Sequence, residues 1–164
     1  MLPCEPASCA DAGPLAISVP AGFDGPVRSD ADGGETTAWI EHRPASQGGT
    51  LLQVSAIDVG TSFDGIDRAQ RAAGTNHYLM EFVRGIGERL DDFEFGEFEP
   101  VSLAGLPAAR ARWTATISGS AAIGVVYCVL VRHWVVSLQT QDVGTAITPG
   151  MYSAMSAIEG ARLR

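Results

Sequence analysis

The stretch AAIGVVYCVLVRHWVVSLQTQ (residues 121–141) is the most apolar part of the chain and decides the class of protein. A helix that spans a bilayer needs about 20 consecutive apolar residues. Here Arg132 and His133 interrupt the apolar run after Val131, and polar residues follow within the next few positions. We therefore predict that this stretch does not span a membrane.

The residue types in this stretch favour β-strands. Valine recurs throughout it, together with Tyr127 and Trp134, and β-branched and aromatic side chains suit a pleated surface. After His133, the residues fall into two sets with a period of two, as expected of a strand. We predict two antiparallel strands, folded back near residues 131–134, that belong to the core.

Composition indicates one globular domain. The chain has 164 residues, of which 46% are hydrophobic and 18% are charged, enough apolar side chains to form a core. The net charge of −8 disfavours nucleic-acid binding, which needs a basic surface to displace counterions from phosphates. The chain contains arginine but no lysine. Mechanisms that use a lysine Schiff base or a lysine base are therefore excluded.

The order of predicted elements indicates an α+β fold. Residues 1–14 are predicted to be a flexible tail, and residues 15–164 a single domain. Strands are predicted at 15–20, 36–43 and 50–59, with a turn at 21–25 and an Asp- and Gly-rich loop at 28–35. A helical region with a break at Gly74 follows at 64–90, and then strands at 93–105 and 106–118 precede the central strands.

Both predicted helices have an apolar face. The long helix has one stripe that would face a sheet, formed by Tyr78, Leu79, Phe82, Val83, Ile86 and Leu90. Thr148 and Pro149 are typical of the first positions of a helix, and the apolar face of this last helix is formed by Met151, Tyr152, Met155 and Ile158. We predict a mainly antiparallel sheet of six to seven strands, with the long helix and the short C-terminal helix packed on it.

Four segments of the chain resemble the PsbP/Mog-like superfamily: ISVPAGF (17–23), VSLAGLPAARARW (101–113), WVVSLQTQ (134–141) and MYSAMSAIEG (151–160). The resemblance covers residues 15–160 and implies an α/β/α sandwich. It also implies a non-catalytic role, since the superfamily contains photosystem II subunits, a Ran regulator, bacterial lipoproteins and adaptor chaperones of type VI secretion. It has no catalytic motif, so no residue is transferred as catalytic.

No residue pattern predicts an active site, a metal site or a cofactor. His77 and Glu81 have a helical spacing that suits metal ligands, but no third ligand follows at a set distance. His42 and His133 end strands and could approach each other. Three cysteines do not make a disulfide framework. Cys128 lies within a strand, as a buried thiol would, and Cys4 and Cys9 lie in the tail.

The segment DDFEFGEFE (residues 91–99) is the candidate binding site. Phe93, Phe95 and Phe98 are expected on one face if Gly96 marks a bulge. The candidate partner-binding residues are the acidic ones: Asp91, Asp92, Glu94, Glu97 and Glu99. They would attract a basic partner. The alternative is an edge strand that its charges keep soluble.

Three functions are left open. The first is a non-enzymatic adaptor that presents its sheet or its acidic edge to another protein, either a basic protein or a second copy of the chain. The second is a carrier of a small apolar ligand, held between sheet and helix in a cavity lined by Phe82, Ile86 and Trp113. The third is an exported, lipoprotein-like accessory factor. The chain as given predicts a cytoplasmic protein, and an upstream leader would make it an exported one.

Overall fold

The computed structural model describes residues 9–31, 34–43 and 49–164. Within these residues the chain forms two sheets and two helices. In chain order the elements are β1 (Cys9–Ala12), β2 (Leu15–Ser18), β3 (Phe23–Ala31), β4 (Gly34–His42), β5 (Gly49–Asp58), α1 (Arg68–Gly87), β6 (Asp91–Phe95), β7 (Glu99–Leu103), β8 (Leu106–Ile117), β9 (Ser120–Val131), β10 (Trp134–Val143), α2 (Pro149–Glu159) and β11 (Arg162–Leu163).

The large sheet is antiparallel and has the strand order β3-β4-β5-β10-β9-β8-β6, with β7 also paired to β8. The small sheet has the order β1-β2-β11 and is antiparallel as well. Helix α1 packs on β8 and β9, on one face of the large sheet. Helix α2 packs on β10 and β5 on the other face, beside the small sheet.

The predicted central strands are confirmed. β9 and β10 pair from Val131↔Trp134 onward, and β9 is buried on both of its faces. Val125, Tyr127 and Val129 lie in the core under α2 and the small sheet, whereas the alternate residues Val126 and Cys128 lie in the core under α1. This double burial explains why the stretch is continuously apolar. Among the described helices, none is long and apolar enough to cross a membrane.

Helix α1 begins after Asp67, whose carboxylate accepts a hydrogen bond from the backbone N of Gln70 at 2.7 Å in a capping box. The predicted apolar stripe is confirmed, with Leu79 and Val83 fully buried and the other members partly buried. The predicted break at Gly74 is wrong, because α1 continues through that position to Gly87. A single glycine weakens a helix by only about 1 kcal/mol, which the packing of the stripe offsets.

Helix α2 has the predicted start. Thr148 is its N-cap and accepts a hydrogen bond from the backbone N of Met151 at 3.2 Å, and Pro149 is its first residue. The predicted apolar face is correct for Met151, Met155 and Ile158, which are buried, but wrong for Tyr152, whose surface is 60% exposed.

The predicted α/β/α sandwich of six to seven strands is wrong. The protein consists mostly of antiparallel strands: an eight-stranded sheet and a separate three-stranded sheet, with only two helices in the described chain. The face of the large sheet opposite α1 is covered by α2 together with the small sheet. This outer layer is therefore not made of helices alone. Two segments that the sequence assigned to turn, loop or tail contribute to this difference, because both are strands, and the short strand β11 was not predicted either.

The first segment is β3, which spans the predicted turn and the first part of the predicted loop. It is an edge strand with a register shift between Asp24 and Val27, and most of its residues are exposed. An edge strand tolerates the charged residues, glycine and proline that suggested a loop. The rest of that loop includes residues 32–33, which lie outside the described residues.

The second segment is β1, within the predicted flexible tail. It pairs with β2, and the side chain of Ala12 is buried against the core. Small apolar side chains therefore fix this part of the tail on the sheet. Residues 1–8, including Cys4, and residues 44–48 lie outside the described residues.

Candidate partner-binding surface

Strands β6 and β7 lie end to end along the outer side of β8. Phe95 is opposite Trp113 in the first pair of strands, and Glu99 is opposite Arg110 in the second. Within the described chain, β8 is the only strand that pairs with either of them. The segment DDFEFGEFE therefore forms an edge of the large sheet, as the sequence indicated.

An aromatic row runs along this edge. Its ring centroids are 5.8 Å apart between Trp113 and Phe93, 6.2 Å between Phe93 and Phe95, and 6.2 Å between Phe95 and Phe98. Trp113 is buried under α1, and Phe93 and Phe98 pack partly against the same core. Phe95 stands apart, since 45% of its surface is exposed. The row thus connects the core to an exposed aromatic side chain.

The predicted bulge at Gly96 is instead a break between two strands, since β6 ends at Phe95 and β7 begins at Glu99. The three residues between them lie opposite only two residues of β8, because Phe95 pairs with Trp113 and Glu99 with Arg110. The ring of Phe98 lies beside that of Phe95, 6.2 Å from it. A register shift within β6, between Asp91 and Glu94, was not predicted. It coincides with the positive φ of Asp92, 51°, a conformation that aspartate adopts more readily than most residues.

The carboxylates of Asp91, Asp92, Glu94 and Glu97 are exposed. Within the described chain, no arginine or histidine forms an ion pair with any of these four side chains. We call the exposed residues Asp91, Asp92, Glu94, Phe95 and Glu97 the acidic edge. Four carboxylates without an ion pair lie on the same edge as one exposed phenyl ring and create a local negative potential along that edge.

Glu99 differs from the other predicted residues because it is paired within the chain. Its carboxylate accepts hydrogen bonds from Arg110 at 3.1 and 3.4 Å, and it lies 4.0 Å from Arg112. Arg110 also donates to Glu159, the last residue of α2, at 2.8 Å. We therefore exclude Glu99 from the acidic edge and assign it a role in holding β7 and α2 together.

Tyr127 completes this network from the core side. Its hydroxyl donates to Glu159 at 2.9 Å and accepts from Arg110 at 3.4 Å. Burial raises the pKa of Tyr127 to about 12, and the hydrogen bond with Tyr127, followed by the hydrogen bond with Glu99, raises the pKa of Arg110. The network is therefore a fixed structural link, with its arginine charged and its tyrosine neutral at ordinary pH.

The histidines do not come together. His42 lies 3.6 Å from Asp24, whereas His133 contacts Asp58 at 2.9 Å. They sit at opposite ends of the ten-residue strand β5, roughly 30 Å apart along the strand. The backbone N–H of Gly60 and then His133 lower the pKa of Asp58. In the described part of the chain, no three histidine, cysteine, aspartate or glutamate side chains are grouped as metal ligands.

The cavity expected for an apolar carrier is not formed by the predicted residues. Phe82 and Ile86 of α1 line a groove of ≈ 250 Å³, but Trp113 is not part of it and is buried against Phe93. The side chains of the sheet in that groove are largely hydroxyls and amides, among them Ser55, Gln53, Ser137 and Gln139. This lining does not suit a purely apolar ligand.

The fold defines a class, an eight-stranded antiparallel sheet with one helix on each face and a small second sheet. The solved structures that resemble it include the following two. LpqN of Mycobacterium tuberculosis, a protein involved in cell envelope biogenesis, is 14% identical, and the match covers 91% of this chain and 82% of LpqN with a TM-score of 0.55. Protein PA94 of Pseudomonas aeruginosa, whose function is unknown, is 9% identical, with 90% and 87% coverage and a TM-score of 0.49.

Sequence comparison adds no relative. No family model matches the chain, and no curated protein has a significantly similar sequence. The likeness to LpqN shows the fold alone, and membership of the PsbP/Mog-like superfamily stays a prediction from the sequence.

Proposed function

We propose that this protein is a non-enzymatic accessory protein that binds a basic partner protein through its acidic edge. The observation that carries the proposal is the position of Phe95, 45% exposed, on an edge strand between the exposed carboxylates of Glu94 and Glu97. Interfaces commonly combine a central aromatic anchor with a polar rim. The edge supplies both kinds of side chain, because exposed Phe95 lies next to Glu94 and two residues before Glu97 in the sequence.

The negative charge of the protein favours a positively charged partner. The four carboxylates of the acidic edge belong to a chain with a net charge of −8, so its surface repels acidic proteins and attracts basic ones. Such steering raises the association rate more than the affinity, and salt weakens it. The aromatic ring would then slow dissociation by burying apolar area.

The accessory character draws support from the fold comparison. LpqN is involved in cell envelope biogenesis, a setting that accommodates accessory proteins without catalytic residues. We extend only this accessory character to the present chain.

The test separates the contribution of charge from that of the ring. Proteins of the native host are captured in parallel on the wild type, on Glu94→Gln/Glu97→Gln, on Phe95→Ser, and on a control that removes two exposed carboxylates elsewhere, Asp30→Asn/Asp64→Asn. For a protein that the wild type retains and the Glu94/Glu97 variant loses, the association rate is then measured at two salt concentrations.

We expect the Glu94/Glu97 variant to associate more slowly, with a weaker dependence on salt, and Phe95→Ser to dissociate faster. The control should match the wild type. Equal capture and equal rates for all four proteins would contradict the proposal and leave the acidic edge as a strand that its charges keep soluble. Self-association that Phe95→Ser abolishes, seen in sedimentation, would instead assign the edge to a second copy of the chain.

We also propose that the protein works outside the cytoplasm. Cys9 is disulfide-bonded, and disulfides persist in oxidising compartments and are rare in reducing ones. The test is fractionation of the native host with detection of the chain. Recovery of the protein only from the cytoplasm would contradict an exported location and would leave the acidic-edge proposal unaffected.

A further inference from the structure

A groove of ≈ 880 Å³ lies between the N-terminal half of α1 and the hairpin of β7 and β8. Small side chains create it. Ala72 and Thr75 face it from the helix, and Pro107, Ala108 and Ala109 face it from the hairpin, where bulkier residues would have filled the space. Its volume falls within the range of about 300–1,000 Å³ that is typical of sites for small molecules.

The charge of the groove is opposite to that of the protein. Arg68 and Arg71 line it, and none of the other lining residues is acidic, although the chain has a net charge of −8. Arg68 is exposed, and no ion pair within the described chain involves either arginine. The groove is therefore a positive site in an acidic molecule.

Arg71 is held rigidly. Its guanidinium donates to the carbonyl oxygens of Leu130 at 2.6 Å and of Phe63 at 3.0 Å. These carbonyls satisfy donors without neutralising the charge, because a carbonyl has no net charge. Arg71 thus provides a fixed positive charge, and exposed Arg68 can move to pair with an anion.

The opposite wall of the groove is apolar. Phe98, Pro100 and Val101 line it from the side of β7. A ligand that satisfies both walls carries an anionic head and an apolar body. A polyanionic peptide is disfavoured because the exposed carboxylate of Glu97, the residue before Phe98, would repel its negative charges.

We propose that this groove binds a single-chain anionic amphiphile, a long-chain carboxylate. The carboxylate pairs with Arg68, and the alkyl chain lies along Phe98 and Val101. This site is separate from the acidic edge, so it goes beyond the proposed binding of a protein partner. It also differs from the groove beside Phe82 and Ile86, whose lining is largely polar.

The experiment is titration calorimetry of the full chain with monomeric dodecanoate. Two control ligands provide the match: dodecanol, which has the same alkyl chain without a charge, and acetate, which has the carboxylate without a long alkyl chain. We expect dodecanoate to bind and both matches to bind at least about tenfold more weakly, since a charged hydrogen bond and the buried chain each contribute that much or more. Arg68→Gln should weaken dodecanoate by about tenfold and leave dodecanol unchanged.

Two variants of adjacent helix positions separate filling of the groove from a general change in α1. Ala72→Phe puts a ring into the groove, whereas Ala73→Phe adds the same ring at an exposed position that does not line it. We expect Ala72→Phe to abolish binding and Ala73→Phe to retain it, with both proteins folded by circular dichroism.

Three results would overturn the proposal: no binding of dodecanoate to the folded wild type, equal affinity for dodecanoate and dodecanol, or equal loss in the Ala72 and Ala73 variants. Binding to vesicles of anionic phospholipid without binding of monomeric dodecanoate would also overturn it and would assign the arginines to a membrane surface. None of these results bears on Glu94, Phe95 or Glu97, so the proposed protein partner is tested independently.

Discussion

Thr148 Oγ1 lies 2.7 Å from Asp142 Oδ2, so the cap of α2 is bonded to a carboxylate buried at the end of β10. The same carboxylate oxygen accepts hydrogen bonds from Thr50 at 2.7 Å and from Arg43, while its second oxygen accepts from the backbone N of Val143 at 2.7 Å. Asp142 therefore joins β4, β5 and α2 at a single acceptor.

We expect Asp142→Ala to destabilise the domain by about 3 kcal/mol, because it removes the buried acceptor that Arg43, Thr50 and Thr148 share. Within the described chain, the only ion pair left to Arg43 would be its weaker contact with Glu41, at 3.5 Å. Thr148→Ala should cost about 1 kcal/mol through loss of the cap, and Thr148→Ser should restore it. The free energy of unfolding in urea measures all three. A loss in Asp142→Ala no larger than that in Thr148→Ala would show that the carboxylate does not join these elements.

The central strand gives a second prediction. Val126 is 1% exposed under α1, so Val126→Asp buries a carboxylate without a partner, at a cost of several kcal/mol that is comparable with the whole stability of a domain. We expect the variant to be insoluble or unfolded. The matched control is Val27→Asp on edge strand β3, where the valine is 69% exposed, and it should melt within a few degrees of the wild type. A folded Val126→Asp would contradict the core assignment.

Double burial is also the reason that the centre of the fold was predictable. A strand covered on both faces, such as β9, requires apolar residues without interruption, and a helix such as α1 requires a stripe, so each leaves a clear pattern in the sequence. The cap at Thr148 was predictable for a similar reason, since it rests on adjacent residues.

The edges of the fold were not predictable in this way. β3 is exposed along most of its length, so apolar and polar residues do not alternate in its sequence. Its glycine, proline and aspartate residues are also typical of loops. The strands β1 and β11 are four and two residues long, too short for a period to emerge. Without these strands the second sheet was missed, and the superfamily resemblance led to the wrong fold class.

The candidate surface was predictable only in part. Alternation placed Phe95 and Glu94 on opposite sides, but nothing local showed that Glu99 would pair with Arg110, because that contact depends on the register of β7 against β8. No pattern in the sequence predicted the groove beside Arg68, because the groove forms where side chains that are far apart in the chain are all small.

The contact between α1 and Phe93 of β6 gives a third prediction. A Cβ atom on Gly87 would lie 2.7 Å from Cδ1 of Phe93, whereas one on Gly85 would meet nothing within 4 Å. We expect Gly85→Ala to raise the free energy of unfolding by up to about 1 kcal/mol through helix propensity. Gly87→Ala should lower it, because the ring of Phe93 must move away from Trp113. The comparison uses thermal unfolding, and equal stabilisation by both substitutions would show that Phe93 does not pack on α1.

The link between β9 and α2 gives the last prediction, which concerns high pH. Burial raises the pKa of Tyr127 from its ordinary value of 10.0 to about 12 in the folded protein. An unfolded chain therefore loses this proton at a lower pH than the folded one. The resulting stability is fully present below about pH 10 and is lost as the pH rises toward about 12.

Tyr127→Phe keeps the ring in the core and removes the titrating group. We expect the free energy of unfolding of the wild type to fall between about pH 9 and about pH 11.5 more steeply than that of the variant. At about pH 7 the variant should be less stable by about 1 kcal/mol, because Glu159 loses the hydroxyl that donates to it. Absorbance of tyrosinate supplies a second readout, in which the variant lacks the step near pH 12. The same slope of stability with pH in both proteins would show that the Tyr127 hydroxyl is not buried in the link between β9 and α2.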